Sequence, residues 1–415
     1  MSSDILQNIR DMQHTDKSGA EALLLSFICD NFPLDVVSLY LTPLAVSLNS
    51  FNGFLTLSDG TRRFFKTHTE TDTVIDEYYN AGMLAEAGYP IIQPVFQSTE
   101  PGKQLLLYDV IEDESVFDVA WRIENNNSSS EELAHLSAVQ QRSDDELYRL
   151  YQETMAIQSA QDAGKSPIHQ LFYHRLTGGR LGRFYGDDVP IQLPDGLYKM
   201  SDVRCKKWLI NGQLYEDTLD AIIQQAIKIL QPDQEDISII GHGDAHNGNV
   251  FFSTTAQPAS MLYFDPAFAG RHHPLLDLTK PLFHNIFAMW MYFPQEIQAN
   301  TSISFRTSDD TWVVEYEYEL PAVRKMFLSS KVERTLIPTL QYLHTEGLLR
   351  KDWRQYLKSA LFCCPLLTMN LADHQKFPPE IALLGLAMAV EMGAESHTKR
   401  SLIDQTLDVA ESTLS

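Results

Sequence analysis

GHGDAHNGN, at residues 241–249, is a polar loop between two apolar segments of this 415-residue chain. It is the segment that indicates the fold most strongly. Asp244 and Asn249 stand in a D-x-x-x-x-N spacing, and Asp265 follows sixteen residues after Asn249. This spacing on one loop places a carboxylate and an amide oxygen a few ångströms apart. One group can then face a hydroxyl while the other faces a divalent cation, as phosphoryl transfer requires.

The segments that flank this loop are short and apolar. Residues 237–240 predict a strand that leads into the loop, and MLYFD at 261–265 predicts a second strand. The second strand would pair with the strand that continues from Asn249. Asp265 stands at its end, and we therefore expect Asp265 to share a metal ion with Asn249.

Upstream, the sequence predicts a β-β-β-α-β-β order. Short runs rich in apolar or β-branched residues alternate with turns, and one helical stretch interrupts them before Gly88 and Pro90. The predicted strands are LAVSL at 44–48, GFLTL at 53–57, RRFFK at 62–66, QPVFQS at 93–98 and QLLLYDVI at 104–111, with the helix at 72–87. Residues 1–35 predict one or two helices that end before Pro33.

Downstream of Ile111 we expect strands nearly to disappear. Residues 125–132 predict a polar loop, 144–163 and 217–231 predict helices, and the chain is mainly helical from 275 onward. One hairpin is expected there, formed by SISFR and WVVEYEYEL. The predicted fold class is α+β, with an N-terminal helical extension (1–35), a small β-rich lobe (36–112) and a large helical lobe (113–415).

Composition excludes several classes of protein. With 44% hydrophobic and 10% aromatic residues, the chain is typical of globular proteins. Its 32 Lys and Arg against 55 Asp and Glu give a net charge of −23, and no basic run offers a nucleic-acid-binding face. No apolar stretch reaches the ~20 residues that span a bilayer, and the N-terminus lacks the apolar region of a signal peptide. We therefore expect a cytoplasmic protein without membrane or nucleic-acid partners.

The four cysteines form no CxxC pair, which argues against a zinc site or a disulfide framework. They are Cys29, Cys205, Cys363 and Cys364, and we expect them to be buried free thiols. GDAHNGN also has features of the GDxHG loop of metallophosphoesterases. A two-metal hydrolase would need further metal-ligand segments, and the sequence has none of them.

HGDAHNGN resembles the catalytic loop of the aminoglycoside phosphotransferase and choline kinase family, and FDPAF occupies the place of that family's metal-binding aspartate. The family has a protein-kinase-like fold. The resemblance implies that Asp244 accepts the hydroxyl proton, that Asn249 and Asp265 hold Mg²⁺, and that ATP is the phosphoryl donor. Pro266 departs from the small residues that follow this aspartate in other kinases.

The resemblance extends to the β-rich lobe. It implies that Lys66 contacts the phosphates and that Glu77 pairs with Lys66, with Glu86 as the competing choice at the end of the helix. The nucleotide loop SLNSFNG, with only one glycine, and the hinge Tyr108-Asp109-Val110-Ile111 complete the expected nucleotide site. The remaining residues expected to bind the cofactor are Ser50, Asn52, Gly53, Asp109 and Ile111.

Three further residues are expected to support the catalytic loop. His242 would brace the loop, His246 would lie next to Asp244 or the substrate, and Asp277 would hold the loop in place, as a similarly placed aspartate does in the family. For Asp277 the alternative is a carboxylate favoured by the helix dipole. His174, Arg175, Arg180 and Arg183 form a basic cluster that would bind an anion or, more commonly, form salt bridges at a solvated turn.

The predicted function is an ATP-dependent small-molecule kinase that phosphorylates a hydroxyl of a sugar, amino alcohol or aminoglycoside. The alternatives are a kinase-fold nucleotide-binding protein without turnover, and a protein kinase or nucleotidyltransferase on the same scaffold. No APE-like motif follows Asp265, which favours a small acceptor. The strong net negative charge favours a cationic acceptor. The sequence does not indicate the oligomeric state.

Overall fold

The structure is a computed structural model that describes residues 5–6, 8–9, 12–13, 15–42, 50–68, 76–98, 100, 102–125, 130–254, 258–308 and 310–414, with the backbone alone at 50, 68 and 76–79. The chain divides into two compact units. The N-terminal unit comprises residues 1–86 and 90–113, and the C-terminal unit comprises residues 87–89 and 114–415.

The N-terminal unit is built on a five-stranded antiparallel sheet with the strand order β1-β2-β3-β5-β4. The strands are β1 (Val36–Leu41), β2 (Ser50–Leu57), β3 (Arg62–His68), β4 (Phe96–Ser98) and β5 (Leu105–Asp109). The helix Asp76–Glu86 lies between β3 and β4 in the chain. This is the predicted β-β-β-α-β-β order, which the resemblance assigns to the N-terminal lobe of a kinase-like fold.

The strand predicted at 44–48 lies outside the described residues. The strand before β2 among the described residues is β1, at Val36–Leu41, which the sequence analysis does not predict. Val36 and Leu41 are buried in β1 while Val37 and Tyr40 are exposed, so apolar residues stand on both faces of the strand. The alternation that marks a half-buried strand is therefore hidden in the sequence.

The helix Lys17–Asn31 packs into the same core as the sheet. The side chain of Asp16 caps it by accepting from Gly19 N–H at 3.0 Å. Its buried apolar residues join those of the strands in one cluster, which includes Leu24, Phe27, Ile28, Leu41, Phe51 and Phe65. The segment predicted as a separate N-terminal extension is thus part of this unit. The sequence does not reveal this, because the residues that this helix contacts lie far from it in the chain.

The C-terminal unit is mainly helical. Its longer helices are Val116–Asn125, Ser130–Thr154, Leu219–Ile229, Pro274–His284, Pro294–Asn300, Ala322–Lys331, Ile337–Thr345, Trp353–Leu367, Pro379–Gly393 and Leu402–Ser412. Shorter ones are Ala160–Ala163, Tyr173–Thr177, Arg180–Tyr185, Met200–Arg204 and Met289–Tyr292, with 3₁₀ turns at Pro167–Leu171 and Asn247–Asn249 and a π-helical turn at Val332–Leu336. The helix predicted at 217–231 is confirmed.

Two other predictions for this unit are corrected. The helix expected at 144–163 is confirmed at 144–154, but it begins at Ser130, inside the predicted polar loop at 125–132, and ends at Thr154, before a strand at Ala156–Gln158. Strands do not disappear after Ile111. The strands are β6 (Ala156–Gln158), β7 (Pro190–Leu193), β8 (Gly196–Lys199), β9 (Lys207–Ile210), β10 (Gln213–Tyr215), β11 (Asp236–Gly241), β12 (Val250–Ser253), β13 (Ser260–Tyr263), β14 (Gly270–His272), β15 (Ile303–Thr307) and β16 (Thr311–Tyr316).

The predicted hairpin of β15 and β16 is confirmed, but it belongs to a larger sheet. β16 pairs in parallel with β9, which places Trp208 beside Trp312, and the four strands have the order β10-β9-β16-β15. The two indole rings pack edge to face with centroids 5.3 Å apart. About a hundred residues separate the two strands in the chain, so no local pattern predicts their pairing.

The core of the C-terminal unit lies among the helices Pro274–His284, Trp353–Leu367 and Pro379–Gly393, which are buried along most of their lengths. The α+β fold class is confirmed. Among the described helices, none is both long enough and apolar enough to cross a membrane. Cys363 and Cys364 are buried free thiols as predicted, whereas Cys29 and Cys205 are exposed, which corrects that prediction.

Candidate functional site

The loop after β11 contains the predicted catalytic residue. Gly243 adopts a left-handed conformation with φ of 79°. A Cβ atom at this position would lie 2.5 Å from the carbonyl oxygen of Phe268. Only glycine fits here, because both the backbone conformation and the close approach exclude a side chain. The loop then turns through the 3₁₀ segment Asn247–Asn249 into β12.

The helix Pro274–His284 and the residue that caps it hold this loop at two points. Gly243 N–H donates to Oδ1 of Asp277 at 2.6 Å, and Asn247 N–H donates to Oδ1 of Asn285 at 2.7 Å. Asp277 also accepts from the hydroxyl of Tyr151 and lies 3.1 Å from Nε2 of His272. Burial alone would raise the pKa of Asp277, but these donors and the charge of His272 outweigh it and lower the pKa. Asp277 is therefore an ionised anchor at neutral pH.

Asp244 stands at the centre of the loop with 16% of its side chain exposed. Its Oδ1 atom has no hydrogen-bond partner among the described residues, and Nζ of Lys280 lies 3.8 Å from that atom. Burial acts to raise the pKa of Asp244, but the nearby positive charges, led by Lys280, lower it below the ordinary value. Asp244 is thus a carboxylate at neutral pH. Its Oδ1 atom is buried beside Lys280, so an acceptor hydroxyl would reach Asp244 at the exposed part of the side chain.

Lys280 is a residue of this site that the sequence analysis missed. It is 3% exposed, and its Nζ lies 3.3 Å from Nε2 of His284. Burial, aided by the charge of Lys280, holds the pKa of His284 well below its usual range, so the imidazole is neutral. Because an ammonium only donates, Nε2 accepts and Nδ1–H donates to the hydroxyl of Tyr292 at 2.8 Å. A lysine inside the apolar run PLLDLTKPLFH, three residues after Asp277, was the available signal.

Asn249 and Asp265 come together through the hairpin of β12 and β13. Phe264 N–H donates to the carbonyl oxygen of Asn249 at 3.1 Å, so Asp265 follows directly after the residue paired with Asn249. The amide nitrogen of Asn249 donates to the carbonyl oxygen of Asp244 at 2.9 Å, which fixes the amide and leaves its oxygen on the other side. Asp265 has φ of 55°, a conformation that Asp and Asn adopt more readily than most residues.

The oxygens of Asn249 and Asp265 fit a magnesium site. Mg²⁺ prefers carboxylate and amide oxygens, and in phosphate-binding sites the protein supplies few ligands while phosphates and water complete the octahedron. Among the described residues, no group of three or more His, Cys, Asp and Glu is arranged to hold a metal ion. The donor set therefore suits a metal that arrives with a nucleotide rather than a permanently bound one.

The two histidines of the loop have different partners. His242 is fully buried, accepts from Asp244 N–H on Nδ1 at 3.4 Å and therefore donates through Nε2 to the carbonyl oxygen of Phe264 at 2.9 Å. It thereby links the loop to the end of β13. His246 accepts from Gly248 N–H at 3.1 Å, and its Nε2 lies 4.0 Å from Oδ1 of Asp244. Burial lowers the pKa of His246, so it faces Asp244 as a neutral ring.

In the N-terminal unit, Lys66 lies in β3 and is half-buried. Its cross-strand neighbours are Asn52 in β2 and Leu106 in β5. Ser50 opens β2, and Glu77 lies in the first turn of the helix Asp76–Glu86. The side chains of Ser50 and Glu77 lie outside the described part of the structure, so the expected pairing of Glu77 with Lys66 remains a prediction. Glu86 is the last residue of the same helix.

Gly53 and Asn52, which are predicted to contact the nucleotide, also have structural roles in the sheet. A Cβ atom on Gly53 would lie 2.1 Å from the carbonyl oxygen of Tyr40, so the approach of β1 requires glycine there. Asn52 accepts from the hydroxyl of Thr42 through its side-chain oxygen at 2.9 Å. These contacts stabilise the strand pair that carries the predicted nucleotide loop.

The predicted hinge lies at the end of β5. The carboxylate of Asp109 pairs with Arg63 across the sheet, with Oδ1 2.5 Å from a guanidinium nitrogen. Ile111 follows two residues after β5 ends and is half-buried. The side chain of Asp109 is therefore engaged by β3, and its predicted role in nucleotide binding would fall to the main chain.

No protein-family model matches the chain, and no curated protein matches it in sequence. Solved structures similar to it include an amicoumacin kinase in complex with AMP-PNP and Ca²⁺, at 12% identity, with 85% of this chain and 87% of that chain covered and a TM-score of 0.44.

Two further solved structures are similar. A microcompartment-associated aminopropanol kinase is 11% identical, with 95% of this chain and 100% of that chain covered and a TM-score of 0.42. A fructosamine-3-kinase homologue from Thermobifida fusca is 12% identical, with 89% and 97% covered and a TM-score of 0.40. At such identities and TM-scores, the similarities are too distant to assign an activity to this chain.

Proposed function

We propose that this chain is a phosphotransferase that transfers the γ-phosphoryl group of ATP to a hydroxyl group of a small molecule. The observation that carries the proposal is the state of Asp244. Its carboxylate is ionised, one of its oxygens is unpartnered among the described residues, and Lys280 stands 3.8 Å away. Such a carboxylate is suited to receive a hydroxyl proton.

The supports of Asp244 agree with a role that depends on position. The residue before it donates to Asp277, its own N–H donates to His242, and its carbonyl oxygen accepts from Asn249. The backbone on both sides of the carboxylate is therefore fixed by hydrogen bonds. In phosphoryl transfer the protein contributes chiefly by positioning and by electrostatic stabilisation, so a fixed base is the expected arrangement.

The proposed step forms a bond between the acceptor oxygen and the γ-phosphorus and breaks the bond between that phosphorus and the β–γ bridging oxygen. Asp244 orients the acceptor hydroxyl and receives its proton, and ADP leaves with the bridging oxygen. Asn249 and Asp265 would hold Mg²⁺, which on binding neutralises charge on the phosphates. Lys66, with Glu77 as its predicted partner, would contact the phosphates from the N-terminal unit.

The expected acceptors from the sequence are a sugar, an amino alcohol or an aminoglycoside. A screen of hydroxyl-bearing metabolites for ADP release tests the proposal, with Asp244→Asn as the blank. We expect acceptor-dependent release from the wild type and none above background from the variant. Nucleotide binding without acceptor-dependent release would instead indicate a binding protein, and transfer of the α-phosphate would indicate a nucleotidyltransferase. A cytoplasmic location remains a prediction.

A further inference from the structure

Three arginines on two short helices of the C-terminal unit form no ion pair with any acidic residue that the structure describes. Arg175 lies in the helix Tyr173–Thr177, and Arg180 and Arg183 lie in the helix Arg180–Tyr185. Within the described part of the chain, no Asp or Glu oxygen lies within 4 Å of their guanidinium groups. Ion pairs with acidic residues are common elsewhere in this unit, as at Arg122, Arg149, Arg324, Arg334, Arg350 and Arg354.

The absence of an acidic partner is informative because acidic residues are abundant. The chain has 55 Asp and Glu against 32 Lys and Arg, so a cation would readily meet a carboxylate. Arg183 is exposed, whereas Arg175 and Arg180 are half-buried and have no described carboxylate in contact with them. Placing like charges together lowers stability unless a ligand compensates them.

The fold holds these arginines in place. The hydroxyl of Tyr185 donates to the carbonyl oxygen of Leu366 at 2.7 Å and accepts from Leu371 N–H at 3.0 Å. This buried tyrosine fastens the helix Arg180–Tyr185 to the end of the helix Trp353–Leu367. The arginines are therefore not on a freely moving surface turn.

Capping of the helix Trp353–Leu367 uses only some of the hydrogen-bond donors of Arg175 and Arg180. Arg175 and Arg180 both donate to the carbonyl oxygen of Leu367, at 3.5 and 3.1 Å. Each guanidinium carries five N–H donors, and one carbonyl oxygen has two lone pairs. The Nε atom of Arg175 is buried and has no partner among the described residues. A buried donor of this kind lacks a hydrogen bond until a ligand supplies it.

The electrostatics of the arginines agree with a missing counter-ion. Burial and the charges of Arg175 and Arg183 lower the pKa of Arg180 to about 10. Burial and the charge of Arg175 also contribute to the lowered pKa of Lys280. An anion among these groups would offset the repulsion.

Lys280 is the positively charged residue of this group that contacts the candidate base, Asp244. Lys280 lies 3.8 Å from Oδ1 of Asp244, and its other described contact is the neutral ring of His284. Arg175 is close enough that its charge acts on both Asp244 and Lys280, and Arg180 interacts in the same way with Arg175. A molecule whose hydroxyl lies at Asp244 can therefore present a second group to these cations.

We propose that Arg175, Arg180 and Lys280 bind an oxyanionic group, a carboxylate or a phosphate ester, on the same acceptor whose hydroxyl is phosphorylated. This inference rests on the proposed function, since it assigns the acceptor class of that site. Guanidinium groups match the planar geometry of carboxylate and phosphate oxygens. The expectation of a cationic acceptor, drawn from the net charge of −23, is thereby replaced at this site by the local charge.

Two measurements test the proposal. The first measures ADP release with acceptors that differ in one anionic group. One series is glycerate, glycerol 3-phosphate and glycerol, and the other is gluconate and glucose. The second follows the melting temperature of the nucleotide-free protein in sodium sulfate against sodium chloride of equal ionic strength. The variants are Arg175→Gln, Arg180→Gln and the double variant. Arg149→Gln is the control, because Arg149 is exposed and pairs with Glu146 and Glu153.

We expect only anionic acceptors to support release, with glycerate and gluconate indicating a carboxylate and glycerol 3-phosphate a phosphate ester. The arginine variants should raise KM for the active acceptor about 10- to 100-fold, as expected for lost hydrogen bonds to a charged group, with kcat little changed. Sulfate should stabilise the wild type and Arg149→Gln specifically, and the double variant much less.

Equal use of neutral and anionic acceptors would overturn the inference, as would sulfate stabilisation that is the same in the double variant. A fall in kcat without a rise in KM would also overturn it, because it would place the arginines at the transferred phosphoryl group. If sulfate binding depends on the arginines but no acceptor supports release, oxyanion binding stands and the proposed function fails. The two hypotheses are therefore separable.

Discussion

The backbone N–H of Gly243 donates to the carboxylate of Asp277 at 2.6 Å, so an ionised side chain on the helix Pro274–His284 holds the residue that precedes the candidate base. Asp277 is 2% exposed and its pKa is lowered by its donors despite burial. A hydrogen bond to a buried charge is among the stronger ones in proteins. The placement of Asp244 therefore depends on a residue that does not need to touch a substrate.

We expect Asp277→Asn to lower the free energy of unfolding by about 1–3 kcal/mol, because the charge that serves Gly243 and Tyr151 is lost. Turnover should fall as well, since the loop loses its anchor. Urea unfolding and ADP release measure the two effects. Asp188→Asn is the matched control: Asp188 is an exposed carboxylate paired with Lys199, and we expect this variant to unfold like the wild type. Equal stability of the two variants would contradict the anchoring role.

Gly243→Ala tests the close approach of the loop to Phe268. The new Cβ would lie 2.5 Å from a carbonyl oxygen in a left-handed conformation, so strain and a clash add together. Gly60→Ala is the control, because Gly60 has φ of 85° but no atom within 4 Å of the added Cβ. We expect the control to cost about 1–2 kcal/mol from the backbone alone and Gly243→Ala to cost more. Equal costs in urea unfolding would show that the loop can move away from Phe268.

Asp265→Asn and Asn249→Ala test the metal site. Asparagine tolerates the positive φ of Asp265, so the first variant removes charge with little backbone strain. We expect each to weaken ATP binding in Mg²⁺ by about 10- to 100-fold, the range seen when metal sites lose supporting groups, with binding in EDTA unchanged. Calorimetric titrations with and without Mg²⁺ measure this. An unchanged effect of Mg²⁺ in both variants would remove the two residues from the metal site.

Because of Glu391, we expect the stability of the protein to depend on pH. It borders a cavity of about 820 Å³ in the C-terminal unit and accepts from the hydroxyl of Tyr316. Burial raises the pKa of Glu391 to about 7. Between the ordinary glutamate pKa of 4.5 and the raised pKa of about 7, the folded protein keeps a proton that the unfolded chain releases, so stability falls as pH rises through this window.

Glu391→Gln should remove this contribution. We expect the difference in unfolding free energy between variant and wild type to grow by about 1–3 kcal/mol from pH 4.5 to 7.5, since one pKa unit corresponds to about 1.4 kcal/mol. Urea unfolding of both proteins at several pH values measures this difference. The contributions of all groups that titrate alike in the two proteins cancel in it. A difference that does not vary with pH would show that Glu391 titrates normally.

Local patterns predicted much of the fold and the motif of the site. Ile237–Ile240 and the run that ends at Asp265 are short apolar segments next to turns, and the structure has strands at both. The pairing of Trp208 with Trp312 was not predictable, because neither strand indicates its distant partner. In the same way, Val37 and Tyr40 conceal β1 by exposing apolar side chains.

The cations near Asp244 lie outside the motif, and the sequence analysis missed one of them, Lys280. Lys280 stands in an apolar helix and approaches Asp244 only after the loop folds onto that helix. The charge of Arg175 acts on Asp244, although the two residues lie far apart in the chain. The net charge favours a cationic acceptor, whereas the proposed acceptor site is positively charged, because a sum over the whole chain does not describe the local charge of one site.

The most direct test of the central claim is transfer of label from γ-³²P-ATP to an acceptor by the wild type and by Asp244→Asn. We expect the variant to lower kcat by about 10²- to 10⁴-fold, the contribution of general base catalysis, while its ATP affinity is unchanged. Asp188→Asn, at an exposed ion pair, should transfer label at the wild-type rate. Full label transfer by Asp244→Asn, or transfer from α-³²P-ATP by the wild type, would contradict the proposed role of Asp244.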